Sequence, residues 1–291
     1  MKILVTGSSG QLARELGLAL ADRADVVNLG RAQLDLSHPE PLRQRVRAEA
    51  PDLLINAAAH TAVDQAEREP EAAFALNATA PGLLAEAAAD LGIPLVHYST
   101  DYVFDGEKAG AYGEEDPTHP LGVYGRSKLA GERAIQSVGG EHLILRTSWV
   151  YALHGRNFLL TMQRLLQERD ELRVVDDQVG APTWAGSIAQ ATARLVDGWQ
   201  AGNRHWGLYH LSCAGETSWF GFASAIAERL KAEGKRCAHL VPIPSSEYPT
   251  PARRPLNSRL DCGKLARDWQ VRLPDWRDAL DACLADTRPR G

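Results

Sequence analysis

The chain opens on a strand, a glycine turn and a helix, and this opening restricts the fold more than any other stretch. Lys2-Ile-Leu-Val-Thr6 is a short aliphatic run with the length and composition of a buried strand. Gly7-Ser-Ser-Gly10 follows at once, and Gln11 to Leu20 then has helical apolar spacing. In this order a helix N-terminus presents unpaired backbone N–H groups to a pyrophosphate. Gly7 permits the tight turn, Gly10 lets the backbone approach the phosphates, and Ala13 is small enough for close packing of helix on strand. The spacing is Gly-x-x-Gly-x-x-Ala rather than the dinucleotide fingerprint Gly-x-Gly-x-x-Gly. Either this is an ordinary strand-to-helix turn, or Gly7, Ser9, Gly10, Gln11 and Leu12 hold a dinucleotide; its place at the start of a βα pattern favours the second.

The following strands put further candidates at the same end. Asp25 to Leu29 is a strand ending at Gly30-Arg31, where an acidic residue would suit the ribose hydroxyl of NAD and a basic one a 2′-phosphate. Arg31 is thus either a solvated surface residue or a sign of NADPH, with NADH still possible. Asp35 and Leu36 are expected to border the adenine. The strand Asp52 to Asn56 runs into Ala57-Ala58-Ala59-His60-Thr61, whose small side chains leave room for a flat ribose or nicotinamide. A long Ala-rich helix is expected from about Pro70 to Asp90, carrying Asn77. The strand Ile93 to Ser99 then delivers Ser99, Thr100 and Asp101 to its C-terminal end, where ligands bind in doubly wound sheets.

Tyr124-Gly-Arg-Ser-Lys128 carries the chemistry. Four residues apart on a helix, Tyr124 and Lys128 share one face. An ammonium beside a phenol favours phenolate, so Lys128 is expected to lower the Tyr124 pKa. Such a phenol can pass a proton to a carbonyl oxygen during reduction or take one back during oxidation. Alone, Tyr-x-x-x-Lys is a weak signal, since most such pairs are solvated helix faces; the preceding strand ends strengthen it.

Six segments carry a family resemblance, in family order over nearly the whole chain. They are Asn56-Ala-Ala-Ala-His-Thr-Ala-Val-Asp64, Ser99-Thr-Asp-Tyr-Val-Phe-Asp-Gly106, Tyr124-Gly-Arg-Ser-Lys-Leu-Ala-Gly-Glu132, Leu145-Arg-Thr-Ser-Trp-Val-Tyr151, Asp177-Gln-Val-Gly-Ala-Pro-Thr183 and Arg254-Pro-Leu-Asn-Ser-Arg-Leu260. The chain resembles the extended short-chain dehydrogenases/reductases and, within them, the dTDP-4-dehydrorhamnose reductases. The resemblance implies NADPH-dependent reduction of the 4-keto group of dTDP-4-dehydro-6-deoxy-L-mannose to dTDP-L-rhamnose. By it, Tyr124 protonates the developing alkoxide, Lys128 binds the nicotinamide ribose, and Thr100 donates a hydrogen bond to the same oxygen, at a position where many relatives carry serine. It also implies that Val63, Ser99, Asp101, Tyr102 and Trp149 contact the substrate, with Trp149 and Tyr102 lining the sugar pocket. Arg253 and Arg254, with Asn257, form the densest basic patch of the C-terminal third. This patch is either a diphosphate contact, with Arg253 and Asn257 as the candidates, or a surface salt-bridge cluster. His60 is expected to pack or hydrogen-bond locally.

One departure concerns assembly. Some relatives are described as metal-linked dimers built on acidic residues; Glu15 matches one such position, but Gly186 stands where a second glutamate is expected. A hard cation needs several oxygen ligands, and a lone Glu15 on an exposed helix face is a poor site. No metal site and no metal-bridged dimer are expected; a monomer or weak homodimer is. Two rival functions remain: another sugar-nucleotide reductase, epimerase or dehydratase of the superfamily, and a non-catalytic nucleotide-binding regulatory subunit. A dehydratase needs an acid–base pair that Asp101 alone does not make, and a pure binding module has no use for Thr100, Tyr124 and Lys128 together.

Composition sets the outer limits. With a net charge of −5 over 291 residues, there is no broad basic surface for nucleic acid. Cys213, Cys237, Cys262 and Cys283 are widely spaced and read as free cytosolic thiols. No apolar run approaches ~20 residues and Met1-Lys2 leads straight into a strand, so neither membrane span nor signal peptide is expected and the location is cytoplasmic. The fold expected is α/β, a Rossmann-type doubly wound parallel sheet with a smaller C-terminal substrate-binding lobe. Residues 1–149 form the NAD(P)-binding part, to which 171–212 return with strands at Leu172–Val175 and Gly207–Leu211 and a helix from Ser187 to Gly198. Residues 150–170 and 213–291 form the lobe, with helices from Phe158 to Arg169 and Ser218 to Glu233. The proline-rich stretch Val241 to Pro255 is a candidate cleft loop.

Overall fold

The computed structural model describes residues 1–38 and 40–288, so the last three residues of the expected lobe lie outside the described residues. β1 (Lys2–Thr6) feeds α1 (Gln11–Leu20), followed by β2 (Asp25–Leu29), α2 (Glu40–Glu49) and β3 (Leu53–Asn56). Short α3 (Val63–Ala66) and α4 (Pro70–Phe74) lead through a π turn, Ala75–Thr79, into α5 (Ala80–Leu91). Next come β4 (Leu95–Thr100), α6 (Val123–Val138), β5 (His142–Thr147), β6 (Val150–Tyr151), α7 (Phe158–Glu168) and β7 (Glu171–Val175). β8 (Val179–Gly180), β9 (Thr183–Trp184), α8 (Ala185–Gln200) and β10 (Gly207–His210) follow. The chain continues through β11 (Thr217–Ser218), α9 (Trp219–Ala232), β12 (His239–Ile243), α10 (Gly263–Trp269) and α11 (Trp276–Leu284).

Six parallel strands make the central sheet, in the order β10-β5-β4-β3-β1-β2. β1 shows why both faces must be covered. Ile3 and Val5 point into the core shared with α1 and α8, while Leu4 points into the one shared with α2 and α5. Because successive side chains alternate faces, an unbroken apolar strand is stable only with helices on both sides. The order reverses at β1, which has β2 on one side and β3 on the other. That reversal opens the crevice at the strand carboxyl ends where ligands bind in such sheets.

Three expectations are corrected. Leu172–Val175 does not join the central sheet: β7 pairs in parallel with β12, from Glu171–His239 to Val175–Ile243. Pro242 is tolerated there because β12 pairs with β7 alone, and an edge strand need not donate from every position. The helix expected from Pro70 to Asp90 is interrupted at Ala75–Thr79. Within that π turn Asn77 accepts from the His60 N–H at 2.8 Å, and its amide donates to the His60 carbonyl at 3.1 Å and to Ser127 Oγ at 3.0 Å. A fully buried amide with three partners on other segments holds the bulge open. Finally, Glu15 is not on an exposed face. It is buried, and Arg288 donates to Oε2 at 2.8 Å. A Cβ on Gly186 would meet the Trp184 ring at 2.3 Å, so that position has no room for a longer side chain.

Candidate active site

A cavity of about 550 Å³ lies over the carboxyl ends of the strands. One wall is the turn after β1, with Gly7, Ser9, Gly10, Gln11 and Leu12. Gly7 sits at φ +84°, and a Cβ there would meet Ala58 at 3.0 Å. The glycine therefore serves both the turn and the close approach of the Ala57–Ala59 segment. Gly10 caps α1 without a side-chain bond, and the first turn of α1 holds no acidic residue, so its N–H groups are open to an anion. Asn157 Nδ2 donates to Gln11 Oε1 at 2.7 Å, and the loop that carries it brings Arg156 to the same wall.

A second wall carries Arg31, Asp35 and Leu36, with Leu34 and Ser37 beside them. Arg31 Nε donates to Asp35 at 3.2 Å, and the Arg31 side chain is 82% exposed. Hydrogen bonds from Ser37 hold the Asp35 carboxyl well below the usual carboxylate range, with Arg31 adding to them. Ala57, Ala58, Ala59, Thr61 and Val63 form the floor from the β3 side.

The closed end is made by β4, the turn after it and α6: Ser99, Thr100, Asp101 and Tyr102 face Tyr124 and Lys128. α6 starts where Glu67 accepts from the Val123 N–H at 2.7 Å. Gly125 lets the helix pass the preceding turn, since a Cβ there would lie 2.1 Å from the Tyr102 carbonyl oxygen. The Tyr102 and Tyr124 rings meet edge to face at 5.4 Å. Thr100 Oγ1 accepts from the Tyr102 N–H at 3.2 Å and donates to Asp101 Oδ1 at 3.0 Å. Burial pushes Asp101 up to about 6. Ser99, Asp101 and Thr147 line this cavity; Ser258 and Thr100 both bear on the Asp101 carboxyl, lowering it against the effect of burial.

The expected effect of Lys128 on Tyr124 is corrected. Burial pushes the Tyr124 phenol up to about 12, with the neighbouring Thr100 hydroxyl pulling the other way and Asp101 adding to the rise. Lys128 instead reaches β4, donating to the Tyr98 carbonyl at 2.6 Å and lying 3.2 Å from His97 Nε2. Burial pushes its ammonium down to about 8, against the opposing charge of Glu132 one turn further along α6.

Two expected substrate contacts do not line the cavity. Asn257 is buried with its amide donated to the carbonyls of Lys108 and Gly110 at 2.7 and 2.8 Å, which fixes that loop. Arg253 points to solvent, and neighbouring Arg254 pairs with Asp64 at 2.9 Å. The proline-rich Val241–Pro255 stretch contributes no residue to the cavity wall. Conversely, Trp219 at the start of α9 lines it unforeseen. Trp149 and Trp219 stack with centroids 3.6 Å apart and planes within 9°. Trp149 adopts φ +48°, an uncommon conformation for a large residue, and a Cβ on Gly180 would meet its ring at 2.7 Å. The glycine of Asp-Gln-Val-Gly-Ala-Pro-Thr thus makes room for the indole; the Trp219 contact, distant in sequence, had no local signal.

A sequence model described as the RmlD substrate binding domain matches residues 1–288. The chain is 49% identical to the dTDP-4-dehydrorhamnose reductase of Burkholderia thailandensis, covering 98% of this chain and 99% of the relative. It belongs to the dTDP-4-dehydrorhamnose reductase family. The Escherichia coli K12 member is 45% identical, over 98% of this chain and 97% of its own. The crystal structure of the Bacillus anthracis reductase in complex with NADP superposes with a TM-score of 0.91 at 33% identity, covering 98% of this chain and 99% of that one. A Thermus thermophilus UDP-glucose 4-epimerase complexed with NAD, at 23% identity and a TM-score of 0.78, shares the fold.

Proposed function

We propose that this reductase-family chain reduces the 4-keto group of dTDP-4-dehydro-6-deoxy-L-mannose to dTDP-L-rhamnose, with NADPH as the reductant. The observation that carries the reading is one cavity with two chemically distinct ends. An anion-ready glycine turn with Arg31 stands at one end, and Thr100, Tyr124 and Lys128 gather with Ser99, Asp101 and Tyr102 at the other. The residues present fit a dinucleotide: the Gly7 cradle would be filled by a Cβ, and the α1 N-terminus is open. When bound, NADPH supplies the hydride. Gly7, Ser9, Gly10, Gln11 and Leu12 would hold its pyrophosphate, Arg31 its 2′-phosphate, and Ala57–Ala59 would leave space for the nicotinamide ribose.

Tyr124 donates its proton to the C4 oxygen as negative charge develops there. A phenol pushed up to about 12 is fully protonated at neutral pH, the state a reductase requires. The Thr100 hydroxyl turns from Asp101 to the same oxygen and stabilises the charge. Ser99, Asp101 and Tyr102 take the sugar hydroxyls, and the Trp149–Trp219 stack offers an aromatic edge to the sugar. We further propose a division into a cofactor-binding part and a smaller substrate lobe carrying α9, and a cytoplasmic monomer or weak homodimer. No helix among the described residues is long and apolar enough to cross a membrane. The test is NADPH oxidation by the purified protein with the keto sugar generated in situ. dTDP-L-rhamnose identified by NMR supports the reading; NADPH binding without turnover of this ketone overturns it.

A further inference from the structure

The segment Asp177-Gln-Val-Gly-Ala-Pro-Thr183 stands behind the aromatic wall of the cavity, and three of its residues act on that wall. β8 pairs antiparallel with β11, with Gly180 opposite Thr217 and Val179 opposite Ser218, so Trp219 opens α9 beside the glycine. Gly180 leaves the space that the Trp149 ring fills, and the Thr183 N–H donates to the Trp149 carbonyl at 3.1 Å. Gln178 is buried and does not line the cavity; its Oε1 accepts from the Trp219 indole N–H at 3.0 Å. An indole N–H can only donate, so the amide oxygen faces Trp219 and Nε2 donates to Ser245 Oγ at 2.9 Å. Asp177 fixes Ser245 in turn, accepting from its backbone N–H at 2.9 Å and from its hydroxyl at 2.5 Å. The proline-rich stretch, which gives no residue to the cavity wall, thus braces that wall from behind through Ser245.

We propose that Gln178 is a positioning residue for the sugar pocket: it orients Trp219, and Trp219 holds Trp149 in place to meet the sugar. Trp149 sits at φ +48°, a conformation that a bulky residue keeps only where its surroundings over-determine it. Those surroundings are the Gly180 gap at the Nε1–Cζ2 edge of the ring and the parallel Trp219 face 3.6 Å away. Stacking sets the distance between two flat rings but not the rotation of one over the other. The bond from the Trp219 indole N–H to Gln178 fixes that rotation, and Phe158, with its ring 4.6 Å from Trp219 and stacked in turn on Phe222, packs behind it. Both indoles line the cavity while Gln178 does not, so Gln178 acts on a ligand only through them. The identity of that ligand, a 6-deoxysugar on a nucleoside diphosphate, rests on the reductase reading.

The test breaks the same bond from its two ends in the full chain. Gln178→Met removes the acceptor, and Trp219→Phe removes the donor while keeping an aromatic face. In calorimetric titrations each variant should bind dTDP-L-rhamnose roughly 3- to 10-fold more weakly, the worth of one buried hydrogen bond, and bind dTDP, which lacks the rhamnosyl group, as the wild type does. The double variant should be no weaker than either single one, because the bond can be lost only once. In ligand-free protein labelled with ¹⁵N-tryptophan, the Trp149 indole signal, assigned with Trp149→Phe, should move in Gln178→Met although both indoles are intact. A Trp149 signal unmoved by Gln178→Met, losses that add in the double variant, or equal losses for dTDP and dTDP-L-rhamnose would each overturn the proposal. A wild-type protein that binds neither nucleotide would sink the reductase reading instead, and the Trp149 signal would still decide the role of Gln178.

Discussion

A buried ion pair ties α6, the helix of Tyr124 and Lys128, to the sheet, and its removal has a calculable cost. Arg146 on β5 donates through Nε and Nη2 to the two carboxylate oxygens of Glu132 on α6, and the two side chains are 4% and 2% exposed. The guanidinium also lies over the Phe104 ring at 5.1 Å, so it is packed as well as paired. Glu132→Gln keeps the shape and removes the charge, leaving a buried cation uncompensated, a change that costs ~3–5 kcal/mol. A chain of this length unfolds with an entropy of ~0.6 kcal/mol/K, so the melting temperature should fall by ~5–8 °C. The double variant Glu132→Met/Arg146→Met removes both charges and should recover much of the loss, because a well-packed apolar pair avoids the desolvation cost. Scanning calorimetry of the three proteins at one pH is the assay. A Glu132→Gln protein that melts within ~1 °C of the wild type, or a double variant less stable than the single one, would show that the pair does not stabilise the fold in this way.

Three further perturbations follow from the same geometry. Arg31→Gln should weaken NADPH binding ~10- to 100-fold, the worth of a charge-assisted bond shared with Asp35, and leave NADH within a few-fold; fluorescence titration with both cofactors reads the difference. Gly131→Ala places a Cβ 2.0 Å from the Asn77 carbonyl oxygen in the π turn, so α6 must shift and stability should drop by ~1–3 kcal/mol in chemical denaturation. Lys128 has a folded pKa of about 8 against an ordinary 10.5, so between those values the unfolded chain binds more protons. Its contribution is therefore full above 10.5 and lost as pH falls towards 8. Lys128→Met should flatten that part of the stability–pH curve, whereas an unchanged slope would mean that Lys128 is charged in the folded protein.

What the sequence disclosed and what it hid divide along locality. The β1–Gly7–α1 opening was legible because turn, strand and helix N-terminus are neighbours in the chain, and the cavity gathers every residue expected there from Gly7 to Leu12. Tyr124 and Lys128 were legible for the same reason: helical spacing alone puts them on one face. The electrostatics between them were not. Spacing placed an ammonium beside a phenol, whereas burial and the Tyr98 carbonyl, thirty residues away in sequence, govern Lys128. The pairing of β7 with β12 depends on a strand more than sixty residues downstream, and nothing in Leu172–Val175 favours that partner over the central sheet. Asn257 looked like a ligand contact because Arg253 and Arg254 stand close to it in the sequence. Its carbonyl partners at Lys108 and Gly110 exist only once the two loops meet.

In the proposed reaction Tyr124 gives the proton that completes hydride transfer to the sugar C4 carbonyl. The most direct test of that step is Tyr124→Phe, which removes one oxygen from a buried ring, measured for turnover and for NADPH affinity in the same preparation. The expected result is a fall of ~10²- to 10⁴-fold in kcat, the usual worth of a positioned general acid, with the dissociation constant of NADPH nearly unchanged. Turnover of the keto sugar nucleotide by Tyr124→Phe at close to the wild-type rate would contradict it.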